Sequence, residues 1–195
     1  NFGDFENHQK MATRLGVHFT RSPEDRQGQP ETEAFENVQI RISDGTVIFA
    51  PGVFGPGIQL DNATYNMSGI DAGLKYKGFS IEGEYYWRLV KDFKGRGVED
   101  LTFDRLSDNG FQIQASGMII RGMLQAYTGY SQVFGEYGDP WDLRCGLNYH
   151  PWKNHVVRFN LEYIHTDKSP VGGLSLPYQV GGTGDIVYAN FEVNF

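Results

Sequence analysis

Over most of the chain apolar and polar side chains trade places at every residue, which is the period of a β-strand, whose side chains change face at each step. At the C-terminal end Val187, Ala189, Phe191, Val193 and Phe195 make one row, and Tyr188, Asn190, Glu192 and Asn194 the other. Val157, Phe159, Leu161 and Tyr163 oppose Arg158, Asn160 and Glu162, and Trp141, Leu143, Cys145, Leu147 and Tyr149 oppose Asp142, Arg144, Gly146, Asn148 and His150. Phe111, Ile113 and Ala115 oppose Gln112, Gln114 and Ser116, while Phe79, Ile81, Tyr85, Trp87 and Leu89 oppose Ser80, Glu82, Glu84, Tyr86 and Arg88. Earlier, Ile70, Ala72 and Leu74 oppose Asp71, Gly73 and Lys75, and Leu15, Val17 and Phe19 oppose Arg14, His18 and Thr20. A further run from Leu124 to Tyr130 puts Tyr127 on the polar side. The pattern predicts eight strands, near 10–21, 68–76, 79–90, 110–119, 123–131, 141–150, 156–166 and 186–195.

The connections alternate in length. Lys77-Gly78, 120–122 and 151–155 are tight, whereas 91–109, 132–140 and 167–185 are longer and rich in Gly, Pro and charge. If Phe195 ends at one side of a sheet, every short turn falls on that side and every long loop on the other. Bacterial outer-membrane barrels sort their loops in this way. The same parity makes 22–67 one long excursion on the long-loop side, with a hairpin at 37–50, because Asp44-Gly45 stands between two alternating runs. Two extra membrane strands there would instead need a long connection on the short-turn side. A loop of this length folds on itself or serves a function such as constricting a pore.

Composition changes the picture in three ways. Fourteen Phe, eleven Tyr and three Trp with twenty-five Gly suit strands, turns and aromatic girdles. No stretch reaches the apolar length of a membrane helix, which a barrel does not need, because its strands carry only an alternating signal. The net charge of −7 gives no basic footprint for nucleic acid. The lone Cys145 falls on an apolar row and forms no intrachain framework.

A water-soluble sandwich also alternates. What separates the two is the apolar rows named above, whose residues include no Lys, Arg, Asp or Glu. A Lys or Arg on a lipid-facing row costs roughly 2–4 kcal/mol at mid-membrane. Tyr76, Phe79, Tyr85, Trp87, Trp141, Tyr149 and Tyr163 gather toward strand ends, where polar aromatic tips meet lipid headgroups. The expected fold is therefore all-β: a transmembrane, antiparallel, up-and-down β-barrel of about eight strands.

Four segments also resemble a known family: 73–87 (GLKYKGFSIEGEYYW), 133–141 (VFGEYGDPW), 146–154 (GLNYHPWKN) and the terminal strand. Together, and in that order, they resemble the phosphate-selective porin O and P family of bacterial outer-membrane channels, from about residue 68 onward. The resemblance implies a sixteen-stranded barrel of which this chain looks like the C-terminal half, and assembly as a homotrimer in the outer membrane. It also implies that Phe195 is the signal read by the barrel-assembly machinery.

On this reading the polar rows line water and pass small solutes or ions, and the expected partners are membrane lipid, the assembly machinery and sister subunits. The pore-lining candidates are Arg14, Lys75, Glu82, Glu84, Arg88, Arg144, Arg158, Glu162 and Glu192, with Asp71 and Asp142 beside them. The signs nearly balance, so the rows hold no ladder of cations of the kind an anion filter needs. Phosphate selectivity is therefore not carried over. Arg88, Arg144 and Arg158 opposite Glu82, Glu84 and Glu162 could set a transverse field; the plainer reading is that opposed charges pair across neighbouring strands. Two rivals remain. One is a closed eight-stranded barrel acting as an anchor or adhesin, whose interior side chains would fill. The other is a hydrolase using Ser80, Ser116 or Ser131 with His18, His150 or His165, for which no spacing suggests a triad. No catalytic group, metal site or cofactor is expected.

Overall fold

The computed structural model describes residues 3–26, 40–169 and 180–194. Its strands are β1 (Ala12–Asp25), β2 (Gln59–Tyr76), β3 (Phe79–Arg96), β4 (Arg105–Ile120), β5 (Leu124–Gly135), β6 (Trp141–Tyr149), β7 (Val157–Asp167) and β8 (Gly184–Val193). They form one eight-stranded sheet in the order β1 to β8, each strand antiparallel to its chain neighbour. The fold is an up-and-down meander with one short 3-10 turn, Val98–Asp100. Among the described residues β1 and β8 stand at the two edges of the sheet. No helix there is long and apolar enough to cross a membrane.

Cross-strand partners share a face, so the register carries each polar row into the next. Gly73 pairs with Glu82, Glu82 with Gln114, and Gln114 with Gly129. The row then continues through Arg144 to Ile164 and Ile186. A slip of one residue anywhere would carry charges onto the apolar face. Tyr127, the aromatic exception on its strand, pairs with Ser116 and Gly146 and so does lie in the polar rows. The β2–β3 turn is a two-residue hairpin, Lys77-Gly78, with both φ values positive (49° and 85°), which matches the twist of the flanking strands.

The strands outrun the sequence pattern at one end. β1 continues from 21 to Asp25 and β2 begins at Gln59, so the excursion between them is 26–58 rather than 22–67. Ser22-Pro23-Glu24-Asp25 reads as turn chemistry. Because β1 is an edge strand, Pro23 can sit opposite Thr64 without removing a donor from an interior ladder. β3, β4 and β5 likewise extend to Arg96, from Arg105 and to Gly135, which shortens their loops.

The expected hairpin at 37–50 is present only as a tight turn. Residues 37–39 lie outside the described residues. Ile42 N–H donates to the Thr46 carbonyl at 2.9 Å, Ile48 N–H to that of Ile40 at 3.1 Å, and a single bridge joins Arg41 and Val47. The Asp44 carboxylate caps the turn by accepting from Thr46 N–H at 2.8 Å. The segment's described residues add no strand to the sheet.

What it adds is a core. Ile40, Ile42, Ile48 and Phe49 pack with Leu60, Ala63, Val90 and Leu106 into one buried cluster. Ala63, Val90 and Leu106 stand in the polar rows, beyond Met67, Arg88 and Asp108, so the turn folds over the polar face. Ile48 and Phe49 are fully buried. Replacing Phe49 by Ala should cost about 3–5 kcal/mol at this site, the usual figure for emptying a buried aromatic position. Limited proteolysis should then cut within 40–58 much faster, with unchanged strand content by circular dichroism; unchanged cleavage would show that the cluster does not hold the segment.

Candidate functional site

The polar face is covered at its two ends and open between them. Near the short turns, five strands are joined by a row of side-chain hydrogen bonds. The Ser80 and Ser116 hydroxyls lie 2.9 Å apart, Gln125 Nε2 donates to Ser116 Oγ at 2.9 Å, and Asn148 Nδ2 donates to Gln125 Oε1 at 2.9 Å. Asn160 Nδ2 extends it, donating to Asn148 Oδ1 at 3.0 Å and to Tyr127 Oη at 2.7 Å. Ser80, Ser116, Gln125 and Asn148 are all buried.

They are buried because the N-terminal segment lies over them. Gly3 sits so close to Gln125 and Ser116 that a Cβ there would come within 2.0 Å of the Gln125 amide. Phe5 packs on the rings of His150 and His155, at 4.9 and 4.1 Å between centroids. Asp4 is the hook. Its buried carboxylate accepts from Gly78 N–H at 2.7 Å and from His8 N–H at 3.0 Å, and also meets the His8 ring. Lys77 N–H donates to the His8 carbonyl at 2.8 Å, tying the same strap to the β2–β3 turn. Burial pushes the Asp4 carboxyl up, but the His8 ring, the two backbone N–H donors and the charge on His8 outweigh it and hold the carboxyl below its ordinary value.

Between the covers the sequence-predicted residues form local pairs. Arg88 holds Asp108 with Nε at 2.9 and 3.1 Å and with Nη2. Arg144 Nε donates to Asp142 at 2.8 Å, Arg158 pairs with Glu192 on β8, and Arg14 Nη2 lies 2.7 Å from Asp71 on β2. Glu84 accepts from Gln112 at 2.9 Å and lies 3.5 Å from His18. Lys75 and Glu82 line one hollow with Arg14 near the β1–β2 end. Glu162 stands opposite Tyr188 and Gly146, in the same row as Tyr127. Arg88, Arg144 and Arg158 thus each engage a carboxylate other than Glu82, Glu84 and Glu162. The sequence pattern starts this strand at 110 and so leaves out Asp108, whereas the strand begins at Arg105; Val90 and Leu106, which break the polar rows, are the signal that something covers this end.

Of the histidines offered for a hydrolase, His165 lies off the polar rows, in the row of Tyr163 and Leu161 and opposite Asp185. Its Nδ1 lies 2.7 Å from Asp185, which also accepts from Tyr163 Oη at 2.6 Å. Ser131 donates to Asp142, and His150 Nδ1 lies 3.2 Å from the Asn154 carbonyl. Phe195 lies outside the described residues.

The other face is apolar and bare. Leu15, Val17, Phe19, Phe159, Leu161 and Phe191 are all well exposed. Two aromatic rows frame it. Toward the short turns Tyr149, Phe159 and Phe191 neighbour one another at 6.3 and 4.9 Å. Toward the long loops Phe111, Tyr130, Trp141 and His165 do so at 5.8, 5.9 and 5.1 Å, with Tyr85 on Trp87 at 4.5 Å. Comparison with known protein families, with curated proteins and with solved structures gives no match.

The lowered Asp4 pKa carries a pH dependence with a definite sign. A carboxyl held below its unfolded value of about 4 favours the docked strap above that pH and loses its hold as pH falls through the lowered value. With Cys145 replaced by Ser and a spin label at the exposed Glu6, the label should be immobile at neutral pH and mobilise only in strong acid. Asp4→Ala should mobilise it at neutral pH, by on the order of a tenfold shift in the docked equilibrium, since Gly78 and His8 lose a charged acceptor. An immobile label in Asp4→Ala would remove Asp4 from this role.

Proposed function

We propose that the chain forms the wall of a water-filled channel in the bacterial outer membrane, a porin through which small hydrophilic solutes and ions diffuse passively. The observation that carries this reading is the contrast between the two faces. In a water-soluble sandwich the apolar face is the buried one. Here that face is exposed and framed by aromatic rows, and the buried contacts lie on the charged face. From Trp141 in one row to Tyr149 in the other, β6 spans nine residues, a length that crosses a bilayer at the usual barrel tilt.

The polar face then lines the pore. The 40–58 segment narrows its long-loop end and the Asp4 strap its short-turn end. Eight strands closed on themselves would fill their interior with side chains, whereas β1 and β8 stand as edges that need further strands to close a wide wall. That supports a larger barrel, such as the sixteen-stranded trimer of the porins the sequence resembles, over an eight-stranded anchor. The reading places the protein among membrane lipid, with Phe195 offered to the assembly machinery. It assigns the Ser80–Ser116 hydroxyl pair to the wall and no reaction to the chain.

Because Arg14, Arg88, Arg144 and Arg158 on the polar face are each paired with a carboxylate, the channel should discriminate only weakly by charge. Full-length protein purified from membranes should give stepwise conductance in planar bilayers, and a water-soluble monomer without conductance would sink the proposal. Replacing Arg88, Arg144 and Arg158 together by Gln leaves Asp108, Asp142 and Glu192 uncompensated. Reversal potentials in a salt gradient should then move toward cation preference; an unchanged potential would assign the three arginines to structure.

A further inference from the structure

A cationic cluster stands on the apolar face just beyond its long-loop aromatic row. Register places Lys91 directly opposite Arg105 on the neighbouring strand, and Arg21, on β1, one row nearer the aromatics. Like charges directly opposed across a strand pair destabilise the sheet unless something lies between them. Among the described residues the carboxylate that pairs with Lys91 is that of its chain neighbour Asp92, at 4.0 Å, and Arg105 and Arg21 are exposed.

Between the cations and the aromatic row runs a groove. Phe19 and Trp87 form its lower end, Asn66 and Ser107 lie along it, Lys91 and Arg105 close its upper end, and Glu136 also lines it. Trp87 is half exposed. Four residues of strand separate Trp87 from Lys91, a rise of about 13 Å along the strand. An indole at the acyl boundary therefore has a pair of cations above it at headgroup height.

We propose that this groove binds a phosphate-bearing anionic lipid of the leaflet at the long-loop side. The phosphate would sit between Lys91 and Arg105, with Arg21 within the same field, and the acyl chain would run down past Trp87 and Phe19. Arg105 offers the planar donor fork that suits phosphate, and Lys91 a point charge. Charge complementarity selects the lipid, because a zwitterionic headgroup returns a cation to a place that already holds an opposed pair. This rests on the membrane reading above, and the experiment separates the two.

With every other tryptophan of the protein replaced by Phe, Trp141 and Trp152 among them, Trp87 becomes the only indole. The full-length protein is placed in bilayers of equal phosphatidylglycerol and phosphatidylcholine, with bromine on the upper acyl carbons of one lipid or the other. Brominated phosphatidylglycerol should quench Trp87 about twofold more than brominated phosphatidylcholine, from the attraction of each nearby Lys or Arg for anionic lipid. K91S/R105S should abolish the preference while keeping the quenching, and K91R/R105K should retain both. Equal quenching by the two lipids in the unaltered groove would overturn the proposal and leave the membrane reading standing. Quenching by neither would overturn both. Loss of the preference on adding inorganic phosphate, but not chloride of equal ionic strength, would assign the cations to a soluble anion and overturn the lipid site.

Discussion

The structure depends on one constraint: a strand turns its side chains to opposite faces at every residue, and antiparallel pairing transmits that choice to its neighbour. Seven strand pairs in sequence keep polar opposite polar, as in Gly73, Glu82, Gln114, Gly129 and Arg144. Nothing else in the molecule could stand without this. The Ser80 to Asn160 hydrogen-bond row needs five strands in one register, and the Arg158–Glu192 and Arg14–Asp71 pairs need the register at both edges. The cost of a slip is that charge appears on the apolar face of every strand beyond it.

On that frame the two covers use different physics. At the long-loop end the rows turn apolar at Ala63, Val90 and Leu106, and the hydrophobic effect draws Ile48 and Phe49 down onto them. At the short-turn end the rows stay polar, and the strap is held by a carboxylate accepting backbone N–H groups. The first should be indifferent to pH and the second sensitive to strong acid. Both lie on the face that carries the charges, which is why the apolar face is left bare.

Much of this was legible in the sequence. The face of each polar candidate, from Arg14 to Glu192, follows from period two alone, and Tyr127 fell on the polar side as its neighbours required. Strand ends were less so, because residues such as Pro23 and Asp108 signal turns or loops locally and are overruled by pairing with a strand that is already in place. The strap was not legible at all. Its signal is one aspartate meeting the backbone of Gly78, 74 residues away. The ion pairs were half legible: charge on the right face was evident, but which carboxylate each arginine takes depends on rotamers and on neighbours across the ladder, so Arg88 found Asp108 rather than Glu82 or Glu84.

The claim on which all of this turns is that the polar face meets water and the apolar face between its aromatic rows meets lipid. Cysteine scanning from Phe79 to Leu89, in a Cys145→Ser background and in intact bilayers, tests it directly. A membrane-impermeant thiol reagent should modify positions 82, 84, 86 and 88 and spare 79, 81, 83, 85 and 87, while a lipid-soluble reagent should show the reverse. Labelling without alternation, or water access to the odd positions, would contradict the account.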